Sequence, residues 1–180
     1  MAGKSPFLVR KVAVLGAGVM GAQIAAHLVN ANVETILFEL TAKEGNPNDL
    51  VRKAVDGLKK LDPAPLSVPG RAEFIQHANY DQDLARLSEC DIVIEAISER
   101  MDWKKSLYEK VAPHLGERTI FASNTSGLSI NTLAGAVPKA LRPRFCGVHF
   151  FNPPRYMHLV ELIACKDTEG GVLDNIEEFL

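Results

Sequence analysis

The sequence predicts an α/β protein built on a doubly wound, mostly parallel sheet with helices on both faces. Three observations carry this. A β-branched run at residues 12–15 passes through a glycine-rich turn straight into a helical pattern. Short apolar runs recur at residues 91–97, 119–122 and 144–150, and the first is nearly continuous, as a strand buried on both faces reads. Segments of helical spacing separate these runs, and strands alternating with helices give a parallel sheet.

The elements follow in order. Residues 12–15 form the first strand. Residues 19–30 form a helix with Met20, Ile24 and Leu28 on its apolar face, and Asn30-Ala-Asn32 stops it. Residues 35–38 are the second strand, with Glu39 at its carboxyl end. Residues 49–60 are helical by the spacing of Leu50, Ala54, Leu58 and Leu61. Pro63, Pro65, Pro69 and Gly70 make residues 61–71 a loop or helix break. Residues 73–78 are a weak strand, and residues 81–87 a short helix with Asp81 as its N-cap. Residues 91–97 form a central strand and residues 103–115 a helix through Leu107, Val111 and Leu115. Residues 119–122 are a buried strand, and residues 129–135 a short helix capped by Ser129. Residues 144–150 and 159–164 are the last strands, and residues 174–180 begin a helix that the sequence does not finish.

The chain has 180 residues, 47% hydrophobic and 23% charged, enough for one globular domain with a real core over residues 1–180. A formal net charge of −2 offers no basic excess for a nucleic acid. Cys90, Cys146 and Cys165 are widely spaced and odd in number, with no disulfide framework and no metal-ligand spacing. The expectation is packing thiols, a reducing cytoplasmic setting and no metal. Residues 1–10 have no apolar leader core, and no apolar stretch is long enough to span a membrane.

The glycines of Gly16-Ala-Gly-Val-Met-Gly21 occupy the three positions of a dinucleotide fingerprint. Gly16 permits the tight turn, Gly18 keeps a side chain from the pyrophosphate, and Gly21 lets helix and strand lie close. The phosphates then face free N–H groups at the helix N-terminus, where the backbone of Val19 and Met20 begins the helix. Glu39 comes 18 residues after Gly21, close to where an acid meets the adenosine ribose. Charge-assisted bonds there are worth about 1.5–3 kcal/mol. A carboxylate also repels a 2′-phosphate, which favours NAD over NADP. Otherwise Glu39 is an exposed strand-end acid.

Ligands of open α/β sheets sit outside the carboxyl ends of the strands. Three further segments end there. Ile94-Glu-Ala-Ile-Ser-Glu-Arg100 brings Glu95 and Glu99, which are hard to explain as core and otherwise read as solvated loop residues. Ala122-Ser-Asn-Thr-Ser-Gly127 is a hydrogen-bonding platform or an ordinary turn with a helix cap. Val148-His-Phe-Phe-Asn-Pro-Pro154 places His149 where an apolar strand leaves the sheet, with Asn152 three residues on. Glu161 interrupts the apolar Leu159–Ile163 run, and a carboxylate buried alone there is costly, so it needs a partner. His149 and Glu161 read as a general base and its orienter, or as a structural histidine beside an acid. His27, His77, His114 and His158 have no comparable setting.

Taken together, Val14–Gly21, Ile94–Ile97 with Glu99, Ser123–Ser126, and His149-Phe-Phe-Asn-Pro153 running into Leu159-Val-Glu161 resemble the NAD-binding domain of the L-3-hydroxyacyl-CoA dehydrogenase family. The motifs come in the family's order and cover nearly the whole chain. Asn152-Pro-Pro-Arg-Tyr-Met157 is most similar to long bacterial forms that also carry an enoyl-CoA hydratase domain. The resemblance implies a Rossmann-type fold, NAD as cofactor and oxidation of an L-3-hydroxyacyl-CoA to the 3-ketoacyl-CoA in fatty acid β-oxidation. It implies His149 as the catalytic base, Glu161 as its orienting carboxylate, and Ser126 and Asn152 as polar groups near the nicotinamide and the reacting oxygen. It implies Gly16, Gly18, Val19, Met20, Gly21, Glu39, Ala96, Glu99 and Lys104 as further cofactor contacts.

Departures from the family pattern matter as well. Glu39 stands where aspartate is usual, and Gly127 where a second serine is common. Residues 41–88 match poorly, so no CoA contact is assigned there, although Lys53, Lys59 and Lys60 are available to CoA phosphates. A helical C-terminal domain is expected after residue 180, closing the substrate site and making a homo-oligomer, and these 180 residues alone are expected to be inactive. Two other readings stay open. One is a different NAD-dependent hydroxyacid dehydrogenase, typically with a lysine base. The other is a non-catalytic NAD-binding or structural relative.

Overall fold

The computed structural model describes residues 7–180. Residues 1–6, part of the segment read above as free of a leader, lie outside the described residues. Seven strands form one sheet: β1 (Lys11–Leu15), β2 (Glu34–Glu39), β3 (Ile75–Asn79), β4 (Ile92–Glu95), β5 (Ile120–Ser123), β6 (Phe145–Phe150) and β7 (Val160–Ala164). Their order is β3-β2-β1-β4-β5-β6-β7, parallel throughout except for the antiparallel β6–β7 pair. The helices are α1 (Val19–Asn30), α2 (Asp49–Leu58), α3 (Met101–Val111), α4 (Ile130–Ala136) and α5 (Gly170–Phe179). The fold is the Rossmann-type sheet that the sequence predicts.

Side-chain alternation along β1 divides the core in two. Val12 and Val14 pack with α1, α2 and α5 on one face, while Ala13 and Leu15 pack with α3 and α4 on the other. All four are fully buried, which is why the strand reads as a continuous apolar run. The chain winds outward from β1 to β3, then returns to β4 on the other side of β1. That reversal leaves a crevice between the carboxyl ends of β1 and β4.

The elements with weak signals shift. The strand expected at residues 73–78 is β3, which starts two residues later, after a 3-10 turn over Pro69–Phe74. The helix expected at residues 81–87 is a 3-10 turn, Leu84–Glu89, with Asp83 and not Asp81 at its N-cap. Asp81 is drawn away by tertiary partners, accepting from the Thr41 hydroxyl at 2.5 Å and from Lys110 Nζ at 2.9 Å. The last helix begins four residues early, at Gly170. Ser129 caps α4 as expected, its hydroxyl accepting from the Thr132 N–H at 3.4 Å.

The proline-rich loop before β3 is tied down. Asn30 Nδ2 donates to the Pro65 carbonyl at 2.8 Å and Arg155 Nη1 donates to the carbonyls of Ala64 and Leu66 at 2.7 Å. Cys90, Cys146 and Cys165 are unpaired and buried, and burial pushes the Cys90 and Cys146 thiols up to about 12. Among the described residues no helix is long and apolar enough to cross a membrane, and no group of three His, Cys, Asp or Glu side chains could hold a metal.

Candidate functional site

The glycine turn closes the carboxyl end of β1. Gly16 has φ +102°, in the left-handed region, and a Cβ there would stand 2.9 Å from Ile97 Cγ2. A Cβ on Gly21 would stand 1.8 Å from the Gly16 carbonyl oxygen, so only glycine lets α1 start against the turn. Gly18 differs: nothing of the protein lies within 4 Å of its absent Cβ, and the space beyond is open. Gly18 is the N-cap of α1, which has no side-chain cap and no acid in its first turn. The leading N–H groups and the positive dipole end are therefore left for an anion.

Glu39 is fixed where β2 ends. Its Oε2 accepts from the Ala17 N–H at 2.7 Å and its Oε1 from the Leu40 N–H at 2.9 Å. One carboxylate thus ties the acid position to the turn itself. Gly16, Gly18, Val19, Met20, Glu39 and Ala96 all line a hollow of about 660 Å³, whose outer wall includes the exposed side chains of Leu40 and Trp103.

A second hollow, of about 290 Å³, opens at the ends of β4, β5 and β6. Glu99, Asn124, Ser126, His149 and Asn152 supply its polar groups. Met20, Ala96 and Ile97 line both hollows, so one elongated ligand can run from Glu39 past the crevice to His149.

His149 and Glu161 face each other across the β6–β7 ladder. His149 Nδ1 lies 2.9 Å from Glu161 Oε2, which leaves Nε2 as the ring nitrogen free for a substrate. Glu161 differs from its expected setting. Its side chain is half exposed, because β7 is the edge strand and its outer face is open. No cost of burial forces the pair together; the register does.

Glu99 organises the Ser126 loop. Its carboxylate accepts from the Thr125 hydroxyl at 2.7 Å, the Ser126 N–H at 2.6 Å, the Ser126 hydroxyl at 3.1 Å and the Gly127 N–H at 3.3 Å. Burial acts against its charge, but the Thr125 and Ser126 donors and the Lys104 ammonium outweigh it and hold the carboxyl below the usual range.

Lys104 lines neither hollow. Its side chain is 1% exposed, with Nζ 2.5 Å from Glu95 Oε1 and 3.7 Å from Glu99 Oε2. Glu95 is fully buried and accepts also from the Ile97 N–H, the Tyr108 hydroxyl and the Ser123 hydroxyl at 2.7–2.8 Å. Burial, with the Glu95 charge beside it, pushes the Tyr108 phenol well up. Neither a solvated loop residue nor a ligand contact, Glu95 anchors the polar floor beneath the crevice.

Three residues escaped the sequence reading. Asn124 Oδ1 accepts from the Phe150 N–H at 2.9 Å and joins β5 to the end of β6. Gln23 Nε2 donates to Asn152 Oδ1 at 3.1 Å. Trp103 stands at the outer hollow with Arg100 packed 4.5 Å over its ring. Gln23 had a readable signal, a polar residue inside an apolar helix face. The others depend on tertiary placement. Of the remaining histidines, His27 and His77 are partly buried, and burial lowers both.

A mostly parallel sheet with a glycine turn, an uncapped helix and an acid at the end of β2 beside the switch point defines a Rossmann-type NAD-binding domain. Residues 11–180 match the family model described as 3-hydroxyacyl-CoA dehydrogenase, NAD binding domain, and the chain belongs to that family. It is 42% identical over 173 residues to a Rickettsia felis protein named as a fatty acid oxidation complex trifunctional enzyme, covering 96% of this chain and 24% of that protein. It is 38% identical to a Deinococcus radiodurans protein named as a 3-hydroxyacyl-CoA dehydrogenase, covering 95% of this chain and 50% of the relative. The crystal structure of 3-hydroxybutyryl-CoA dehydrogenase from Escherichia coli superposes with a TM-score of 0.77 at 30% identity, over 96% of this chain and 36% of that one. The chain therefore spans between about a quarter and half of these relatives, and the family it belongs to is one of NAD-dependent oxidoreductases.

Proposed function

We propose that this chain is the cofactor half of an L-3-hydroxyacyl-CoA dehydrogenase acting in fatty acid β-oxidation, with NAD across the crevice and the acyl-CoA over His149. The observation that carries this is His149, paired with Glu161, lining a hollow that shares the walls Met20, Ala96 and Ile97 with the dinucleotide hollow. The residues fit the cofactor. Gly16, Gly18 and the first backbone groups of α1 at Val19 and Met20 would hold its phosphates, and Gly21, which lines neither hollow, would serve by letting α1 lie against the turn. Glu39 would hold the ribose, and Ala96, Glu99, Ser126 and Asn152 would flank the nicotinamide. Lys104 would act from beneath, through Glu95 and Glu99.

NAD, when bound, supplies the acceptor for the hydride that leaves C3. His149 takes the hydroxyl proton at Nε2 as the C–O bond becomes a carbonyl. Glu161 holds the opposite nitrogen and offsets the charge that the imidazole gains. Asn152 directs a hydrogen bond at the C3 oxygen, where charge develops as the proton departs, and Ser126 would add a second on turning its hydroxyl away from Glu99. A helical domain after residue 180 would close the open side, carry a further substrate contact and make the homo-oligomer; Lys53, Lys59 and Lys60 would serve the CoA phosphates. The setting would be cytoplasmic.

The deciding experiment is turnover of acetoacetyl-CoA with NADH, measured on these 180 residues and on the full-length product of their gene. The full-length product is expected to turn over, and the 180 residues to bind NADH with no turnover. A full-length product that ignores acetoacetyl-CoA but oxidises a free hydroxyacid would overturn the substrate assignment.

A further inference from the structure

Gln23 is an oddity of α1. Ala22, Ile24, Ala25 and Ala26 around it are buried apolar residues, and Gln23 itself is only 6% exposed. A buried amide in such a place must find partners. Its Nε2 donates to the Val19 carbonyl at 3.2 Å and to Asn152 Oδ1 at 3.1 Å. The first bond fixes the direction of the second. A backbone carbonyl only accepts, so the group beside Val19 is the glutamine nitrogen. A nitrogen that also faces Asn152 must meet that residue's oxygen. Asn152 Oδ1 is thereby taken, and its Nδ2 has no partner among the described residues, while the residue lines the hollow that contains His149 and Ser126.

We propose that Gln23 is a positioning residue for the reaction. By occupying the oxygen of Asn152, it turns the Nδ2–H₂ group onto the hollow, so that Asn152 itself can only donate there. The proposal rests on the dehydrogenase reading above. In that reaction the hydroxyl proton passes to His149 Nε2, the hydride leaves C3 for the cofactor, and the oxygen left behind gains electron density. Such an oxygen is stabilised by a donor and opposed by a lone pair. Asn152 turned the other way would present its own carbonyl oxygen. Gln23 lies on α1, whose N-cap is Gly18, so the Asn152 donor is registered to the dinucleotide end of the site.

The test is Gln23→Met, which keeps the side-chain length and removes both bonds. In the full-length gene product, kcat for acetoacetyl-CoA reduction is expected to fall at least about tenfold, with KM for NADH moving less than about twofold. In an Asn152→Ala background the same change is expected to cost less than about twofold more, because Gln23 acts through Asn152 alone. An unchanged kcat overturns the proposal. So does an equal loss in both backgrounds, which is the mark of a merely structural residue. A second arm uses the isotope-labelled 180-residue chain, in which Gln23→Met is expected to shift the side-chain amide resonances of Asn152. If the parent enzyme ignores acetoacetyl-CoA, the dehydrogenase reading is what fails, and the amide resonances alone then decide the positioning: unmoved, they overturn it.

Discussion

Lys104 Nζ lies 2.5 Å from Glu95 Oε1, and both side chains are sealed under the crevice that joins the two hollows. A pair of charges taken out of water stays favourable only while both members and their hydrogen bonds are present. Lys104→Met leaves Glu95 with three neutral donors and no countercharge. The expected cost is about 3–5 kcal/mol of folding stability. Urea unfolding of the 180-residue chain measures it, and a loss below about 1 kcal/mol would put the pair outside the stability of the fold.

Gly21 and Gly18 separate two roles that a glycine motif hides. Gly21→Ala drives a methyl into the Gly16 carbonyl 1.8 Å away, so the turn must move. Overpacking of this kind costs about 1–3 kcal/mol and occasionally more. Gly18→Ala meets no protein atom and is expected to leave the melting temperature unchanged. Both are expected to weaken NADH binding. Titration followed by the fluorescence of the single tryptophan, Trp103 at the wall of the outer hollow, reports it.

His149→Gln removes the base and keeps a polar side chain opposite Glu161. The full-length gene product is expected to lose about 10²–10⁴-fold in turnover. NADH affinity measured by calorimetry is expected to stay within about threefold, because Glu39 and the glycine turn lie in the other hollow. Unchanged turnover would remove His149 from the chemistry.

Glu99 gives a pH dependence with a definite sign. Its folded-state carboxyl lies below its ordinary value of 4.5, so its contribution to stability is complete above that value and is lost as pH falls through the lowered one. Thermal melts of the parent and of Glu99→Gln are expected to converge as pH drops into the range below 4.5. Parallel curves would show that the Ser126 loop does not depend on the charge.

Most of the frame was legible in the sequence because local pattern and burial agree there. Val12–Leu15 is continuous and apolar because both its faces are covered, and Gly16 and Gly21 are glycines because a Cβ would strike backbone or a packed side chain. Legibility fails where a distant partner decides. Asp81 has the chemistry of an N-cap, yet Thr41 and Lys110 take its carboxylate. Lys104 reads as a ligand contact, yet it is buried against Glu95, across from it on another element. Glu161 reads as a buried acid because its neighbours are apolar. Leu159 and Ile163 are themselves exposed along the open sheet edge, so that apolar pattern marks an uncovered surface instead of an interior.

The register of β6 against β7 sets His149 directly opposite Glu161. Backbone hydrogen bonds carry that alignment, while the residues between Tyr156 and Leu159 take no part in it. Insertions and deletions in that connection are thus nearly invisible to His149 and Glu161, whereas a slip of one residue in β7 would turn Glu161 to the opposite face and separate the pair. The connection between the two strands can therefore be reworked freely, and the ladder is the constraint that keeps the two side chains paired.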